Sequence, residues 1–147
     1  VTIREVSFPP ANSTVPLADM AYPEWPEPLT SCAGYRYPVG LPITLQLGAD
    51  QIVSLSTYSL EDQTTGQQLQ SCGFDAATYT NPNLGQQAVG RSALKSFGAV
   101  VLIPREPLSP GHTYKVTMNI DGANDSWSFK VRSPTEVARS ERAAAAP

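Results

Sequence analysis

Residues 113–131 read TYKVTMNIDGANDSWSFKV. In the first half Tyr114, Val116, Met118 and Ile120 alternate with Lys115, Thr117 and Asn119; in the second Trp127, Phe129 and Val131 alternate with Ser128 and Lys130. An extended chain sends successive side chains to opposite faces, so each half reads as a strand with one face in a core and one in water. Between them Asp121, Gly122, Ala123 and Asn124 form a short stretch of turn-forming residues. The segment predicts an antiparallel hairpin, and a β fold around it.

Working outward, Ile43, Leu45 and Leu47 alternate with Thr44 and Gln46 in the same way. Residues 1–8 predict a strand stopped by Pro9 and Pro10, and residues 52–60 another, rich in β-branched and aromatic side chains. Thr65 and Gly66 turn the chain into a strand over 67–72, and the apolar run FGAVVLI at 97–103, ended by Pro104, is short enough for a buried strand. About seven strands at short spacing, punctuated by proline and glycine, predict an all-β antiparallel sandwich. Its core is expected from Ile43, Leu45, Leu47, Leu55, Val101, Leu102, Tyr114, Val116, Met118, Trp127 and Phe129.

Two segments exceed what a minimal sandwich needs. Residues 20–42 carry five prolines with Tyr22, Trp25, Tyr35 and Tyr37, and residues 73–96 show no sustained pattern. Both are read as long loop insertions, which are usually functional or mobile. Residues 134–147 hold charges and small side chains with no bulky apolar group after Val137. They predict a flexible tail or linker behind a domain spanning 1–133, because so little can be buried against the entropy of ordering them. An opening on Val1, without initiator methionine or apolar leader, reads as a mature or excised piece of a larger parent.

Composition narrows the function classes. A chain of 147 residues is one domain with room for a core of its own. Ten basic against 13 acidic residues give a net charge of -3, which excludes the cationic stripe a nucleic-acid binder needs. No apolar run reaches the length of a membrane-spanning helix.

Catalytic motifs are sparse. With one histidine, His112, the pair Cys32 and Cys72 cannot complete a structural zinc site. They are either a structural disulfide or two thiols, and a disulfide belongs outside the reducing cytosol. A single imidazole disfavours Ser-His-Asp and Cys-His catalysis, and His112, between Gly111 and Thr113, reads as a solvated turn residue. Ser92 and Lys95 match S-x-x-K, but the S-D-N and K-T-G elements that complete such a site are missing. Asp121, Asn124 and Asp125 offer oxygens to calcium, yet a hairpin turn uses the same residue types for its geometry. Asn12-Ser13-Thr14 and Asn124-Asp125-Ser126 match the N-glycosylation pattern. The reading is a non-enzyme without metal or cofactor. Its candidate ligand surface is Tyr22, Trp25, Tyr35 and Tyr37, where flat rings held by stiff prolines could stack on a cell-wall glycan or grip a peptide. The alternative is that these rings plug one end of the sandwich, and the plug is the expectation.

The segment Leu108-Ser109-Pro110-Gly111-His112-Thr113-Tyr114 resembles the L-x-P-G-x-x-Y corner of fibronectin type III and related Ig-like domains. Residues 8–16 (FPPANSTVP) resemble the opening of bacterial Ig-like domains, residues 42–47 (PITLQL) their second strand, and residues 101–114 with Trp127-Ser128-Phe129 their closing half. More narrowly, IPREPLSPG with a tyrosine-rich insert is similar to the accessory domain that follows an SCP/CAP domain in some secreted bacterial proteins. The resemblance implies an Ig-like sandwich with a structural corner at Leu108, Pro110, Gly111 and Tyr114. It implies a structural or interaction role beside a neighbouring domain, secreted, periplasmic or at the cell surface, and no catalytic residues.

Overall fold

A computed structural model describes residues 5–145; the first half of the predicted strand 1–8 and the last two residues of the predicted tail lie outside the described residues. In chain order the elements are β1 (Val6–Phe8), β2 (Thr14–Val15), β3 (Asp19–Met20), a 3-10 turn (Pro28–Ser31), β4 (Val39–Gly40), β5 (Ile43–Gln46), β6 (Leu55–Asp62) and β7 (Gln67–Leu69). There follow β8 (Ser71–Phe74), α1 (Leu84–Phe97), β9 (Ala99–Pro104), β10 (Thr113–Ile120), β11 (Ala123–Val131) and α2 (Pro134–Ala145). The chain is mostly β. Its strands form a four-stranded sheet β1-β5-β9-β8, a five-stranded sheet β2-β11-β10-β6-β7 and a separate pair β3-β4.

The hairpin read from residues 113–131 is β10 and β11, paired from Thr113↔Lys130 to Ile120↔Ala123. Its turn is only two residues long. Asp121 (φ 52°) and Gly122 (φ 88°) are both left-handed, the conformation whose twist matches the flanking strands. Asp121 also ties the turn to the start of β6, its amide donating to the Ser54 carbonyl and its Oδ1 accepting the Ser54 amide, both at 2.9 Å. β6 pairs along the other edge of β10.

The two larger sheets share one hydrophobic cluster. Ile43 and Leu45 from β5 and Val100 and Leu102 from β9 meet Leu60, Tyr114, Val116, Met118, Trp127 and Phe129, with Leu47 and Leu55 half-buried against them. Val101 does not join this core. The run AVVLIP of β9 is covered on both faces, and Val101 and Ile103 turn toward a second cluster with Val39, Phe74, Tyr79 and Cys32. A strand buried on both faces reads as an unbroken apolar run, which is why 97–103 shows no alternation.

The structure corrects several boundaries. The strand foreseen at 67–72 is two strands in different sheets: β7 pairs with β6, and β8 pairs with β9. The strand foreseen at 52–60 is shifted to β6, and β2, β3 and β4 are two-residue segments too short for any pattern. The expectation of an all-β chain with two long loops fails at 73–96, whose whole second half lies in α1. This helix buries none of its residues fully. It faces the sheet through half-buried Gln86, Gln87, Gly90, Arg91 and Leu94, so the apolar stripe that would reveal a helix is missing. Its caps are written in the sequence: Asn83 accepts the Gln86 amide, and Gly98 ends the helix in the left-handed region. The predicted tail is helical over Pro134–Ala145, opened by a capping box in which Ser133 Oγ accepts the Glu136 amide at 3.1 Å.

Candidate functional site

The sequence of 20–42 has no strand period, yet the segment is pinned at many points. Cys32 closes the 3-10 turn and is bonded to Cys72 of β8, with Cα atoms 5.7 Å apart. Glu27 caps the same turn by accepting the Leu29 amide at 3.0 Å, and its carboxylate also accepts the Tyr37 hydroxyl. The Glu27 carbonyl accepts the Tyr79 hydroxyl at 2.7 Å, and its amide donates to Gln86 Oε1 of α1 at 3.1 Å. Thr30 Oγ1 donates to the Thr80 carbonyl at 2.7 Å, while the Thr80 amide donates to Ser31 Oγ at 2.8 Å. One glutamate thus joins the loop to itself, to the chain after β8 and to α1.

The four candidate aromatics separate into two pairs. Tyr35 and Tyr37 pack against the second cluster. The Arg105 guanidinium lies 5.3 Å from the Tyr35 ring centre, and its Nη2 donates to the Gly34 carbonyl at 3.3 Å. Burial pushes the Tyr37 phenol well above the ordinary tyrosine range, and the hydrogen bond to Glu27 and the charges of Glu27 and Glu24 push it the same way. Tyr22 and Trp25 are 80% and 67% exposed. The plug therefore accounts for half of the cluster only. Beneath this loop, α1 and the outer face of β8 and β9 border an open apolar cavity of about 260 Å³, lined among others by Phe74, Leu94, Val101 and Ile103, with exposed Glu24 also in the lining.

A second concavity, about 280 Å³ and of mixed polar and apolar lining, opens between β7 and the segment after β9, over Asp62 and Tyr114. His112 is not a solvated turn residue. Its Nδ1 lies 2.7 Å from Oδ2 of buried Asp62, whose Oδ1 accepts the Thr64 and Thr65 amides at 2.9 and 3.2 Å. Burial drives the Asp62 carboxyl upward, but the His112 hydrogen bond, with the Thr65 amide, the His112 charge and the Thr64 amide, outweighs it and holds the group below the usual carboxylate range. The spacing of Asp62 and His112 along the chain gives no sign of this pair; only the β6–β10 register brings them together.

The remaining candidates take structural positions. Pro110 and Gly111 (φ 84°) make the bend closed by the His112 amide on the Ser109 carbonyl at 3.2 Å. Leu108 and Tyr114 are buried, and the Tyr114 hydroxyl accepts the Ser109 amide at 2.6 Å. Ser92 and Lys95 are exposed on α1, and the Ser92 carbonyl accepts Ser96 Oγ. Asn124 accepts from Asn119 Nδ2 across the hairpin. Among the described residues no group of three or more His, Cys, Asp or Glu is placed to hold a metal ion, and no helix is long and apolar enough to cross a membrane. No protein-family model matches the chain, and no curated protein matches it.

Proposed function

We propose that the chain is a non-enzymatic Ig-like β-sandwich module of an extracytoplasmic bacterial protein, acting as an interaction domain beside a neighbouring domain of its parent. Two sheets around a common cluster, and a tyrosine hydroxyl bonded to the backbone of the Leu108–Tyr114 corner, support the Ig-like reading. The Cys32–Cys72 bond is compatible with a place outside the cytosol. The likeness of IPREPLSPG to the module that follows SCP/CAP domains supports a secreted or cell-surface parent. Such a role comes from the surface and not from the fold, which hosts many.

The observation that carries the interaction role is the exposure of Tyr22 and Trp25 on a loop fixed by a disulfide and by the bonds of Glu27. Exposed aromatics on a rigid support bind with little loss of side-chain freedom. The test is a tryptophan fluorescence titration with soluble cell-wall glycans and with peptides, repeated on Trp25→Ala. A response that disappears in the variant supports the interaction module. No response to either panel leaves the second reading, a purely structural spacer, which the packing of Tyr35 and Tyr37 favours.

A further inference from the structure

We propose that the apolar cavity between α1, β8–β9 and the aromatic loop is a docking pocket for a partner polypeptide that inserts one apolar side chain and sets a lysine or arginine beside it. The inference rests on the reading of the chain as an interaction module and adds the chemistry of the partner. Three properties of the cavity carry it: size, wall and rim.

At about 260 Å³ it lies just below the range of about 300–1,000 Å³ typical of small-molecule sites, and suits one large side chain. The wall is carbon-rich. Half-buried Val101 of the sheet, Leu94 of α1, Met20, Pro26 and Pro42 present the reachable surface over a floor of buried Ile103, and the Tyr79 hydroxyl is already engaged by the Glu27 carbonyl and Asn81 Nδ2. A sugar hydroxyl turned into the wall would be left unpaired, whereas an aliphatic or aromatic side chain carries no polar group to leave unpaired.

Glu24 is the charged residue of the lining, exposed at the rim, and it makes no ion pair among the described residues. The neighbouring carboxylate of Glu27 is occupied by Tyr37 and by the Leu29 amide. The rim therefore presents negative charge without a counter-charge, which attracts a cation and repels a carboxylate. Trp25, next in sequence and 67% exposed, offers a ring face on which a guanidinium can settle. Small residues on α1 shape the space. Gly90 lets α1 pack directly on the Tyr79 ring, which a Cβ there would overlap, and Ala93 lines the cavity from an exposed position.

The test is a ¹H–¹⁵N NMR titration of the oxidised full chain with the capped dipeptides Ac-Leu-Arg-NH2, Ac-Leu-Glu-NH2 and Ac-Ser-Arg-NH2. The amides of Ala93, Leu94 and Val101 are expected to shift with Ac-Leu-Arg-NH2. The Leu-Glu peptide should bind about two- to fivefold more weakly, the range of an exposed charge pair, and the Ser-Arg peptide should be weaker than the Leu-Arg peptide. Glu24→Gln should remove the preference between Arg and Glu peptides while both still bind. Ala93→Trp should fill the mouth and abolish the shifts, with the β10–β11 amides unchanged as the sign of an intact fold. Equal affinity of the native chain for the Arg and Glu peptides, or no shift at these amides with any peptide, overturns the pocket. If a glycan or longer peptide still quenches Trp25 in that case, the interaction module stands without it.

Discussion

Removing the Cys32–Cys72 bond, by the double variant Cys32→Ala/Cys72→Ala, tests whether the aromatic loop is held as described. The bond joins residues 40 positions apart, and the closed segment runs from the 3-10 turn through β4, β5, β6 and β7 to β8, crossing from one sheet to the other. A loop of that length carries a chain entropy of about 13 cal/mol/K, or about 4 kcal/mol at 25 °C. Each kcal/mol moves the midpoint of a chain of this size by about 2–4 °C, so the variant should melt about 8–16 °C lower. Circular dichroism melts of the oxidised native chain and the variant measure this directly. Cys32 lies in the second cluster, so local loosening should concentrate there: Tyr79 and Thr80 amides should exchange faster in the variant, with Val116 changing only as global stability falls. A fall of less than about 3 °C, below about 1 kcal/mol, would refute the reasoning. So would two thiols titrating in the denatured, unreduced protein.

Three further predictions concern the frame around the loop. Tyr114→Phe keeps the ring against Phe129 and removes only the hydroxyl that accepts the Ser109 amide, so stability should drop by about 1 kcal/mol and the midpoint by about 2–4 °C; an unchanged midpoint would count against the corner. Asp62 is held below its unfolded value, so its pair with His112 and the Thr64 and Thr65 amides stabilises the fold above about pH 4 and loses that contribution as pH falls through the lowered value. Asp62→Asn should flatten this acid limb, and a native-like acid transition in the variant would contradict it. Gly90→Ala gains about 1 kcal/mol of helix propensity, but the new Cβ meets the ring of buried Tyr79, whose hydroxyl is tied to Glu27 and Asn81; overpacking of about 1–3 kcal/mol should win, and a more stable variant would show that the ring can move aside.

Where an element buries one face and exposes the other, residue types report it. Tyr114, Val116, Met118, Trp127 and Phe129 declare β10 and β11 because each strand has a wet side, and Ile43 and Leu45 do the same for β5. Val101 was assignable to a strand but not to a face, since β9 is covered on both. α1 is obscured for the opposite reason: Gln86, Gln87 and Arg91 reach the rest of the molecule through hydrogen bonds to Glu27, Asn81 and Tyr79, and such contacts leave no apolar period. The cap residues Asn83 and Gly98 were the legible trace of it, as Ser133 and Glu136 were of α2. At the candidate site the sequence identifies the aromatic cluster but not its division. Tyr37 is drawn inward by Glu27, ten residues away, while nothing on the described surface draws Trp25 in. The cavity depends on α1 crossing the back of β8 and β9, a placement no spacing along the chain encodes.

An interaction surface on the aromatic loop requires that Trp25 be presented to solvent. Acrylamide quenching of tryptophan fluorescence reads it without any ligand, because the chain has two tryptophans, Trp25 at 67% exposure and Trp127 at 8% with its indole N–H donated to the Pro9 carbonyl. The oxidised chain should show one readily quenched and one protected component, and Trp25→Ala should remove the quenched one alone. Two protected components, with Trp25→Ala lowering the melting midpoint, would mean that Trp25 is part of a plug and would contradict the interaction surface.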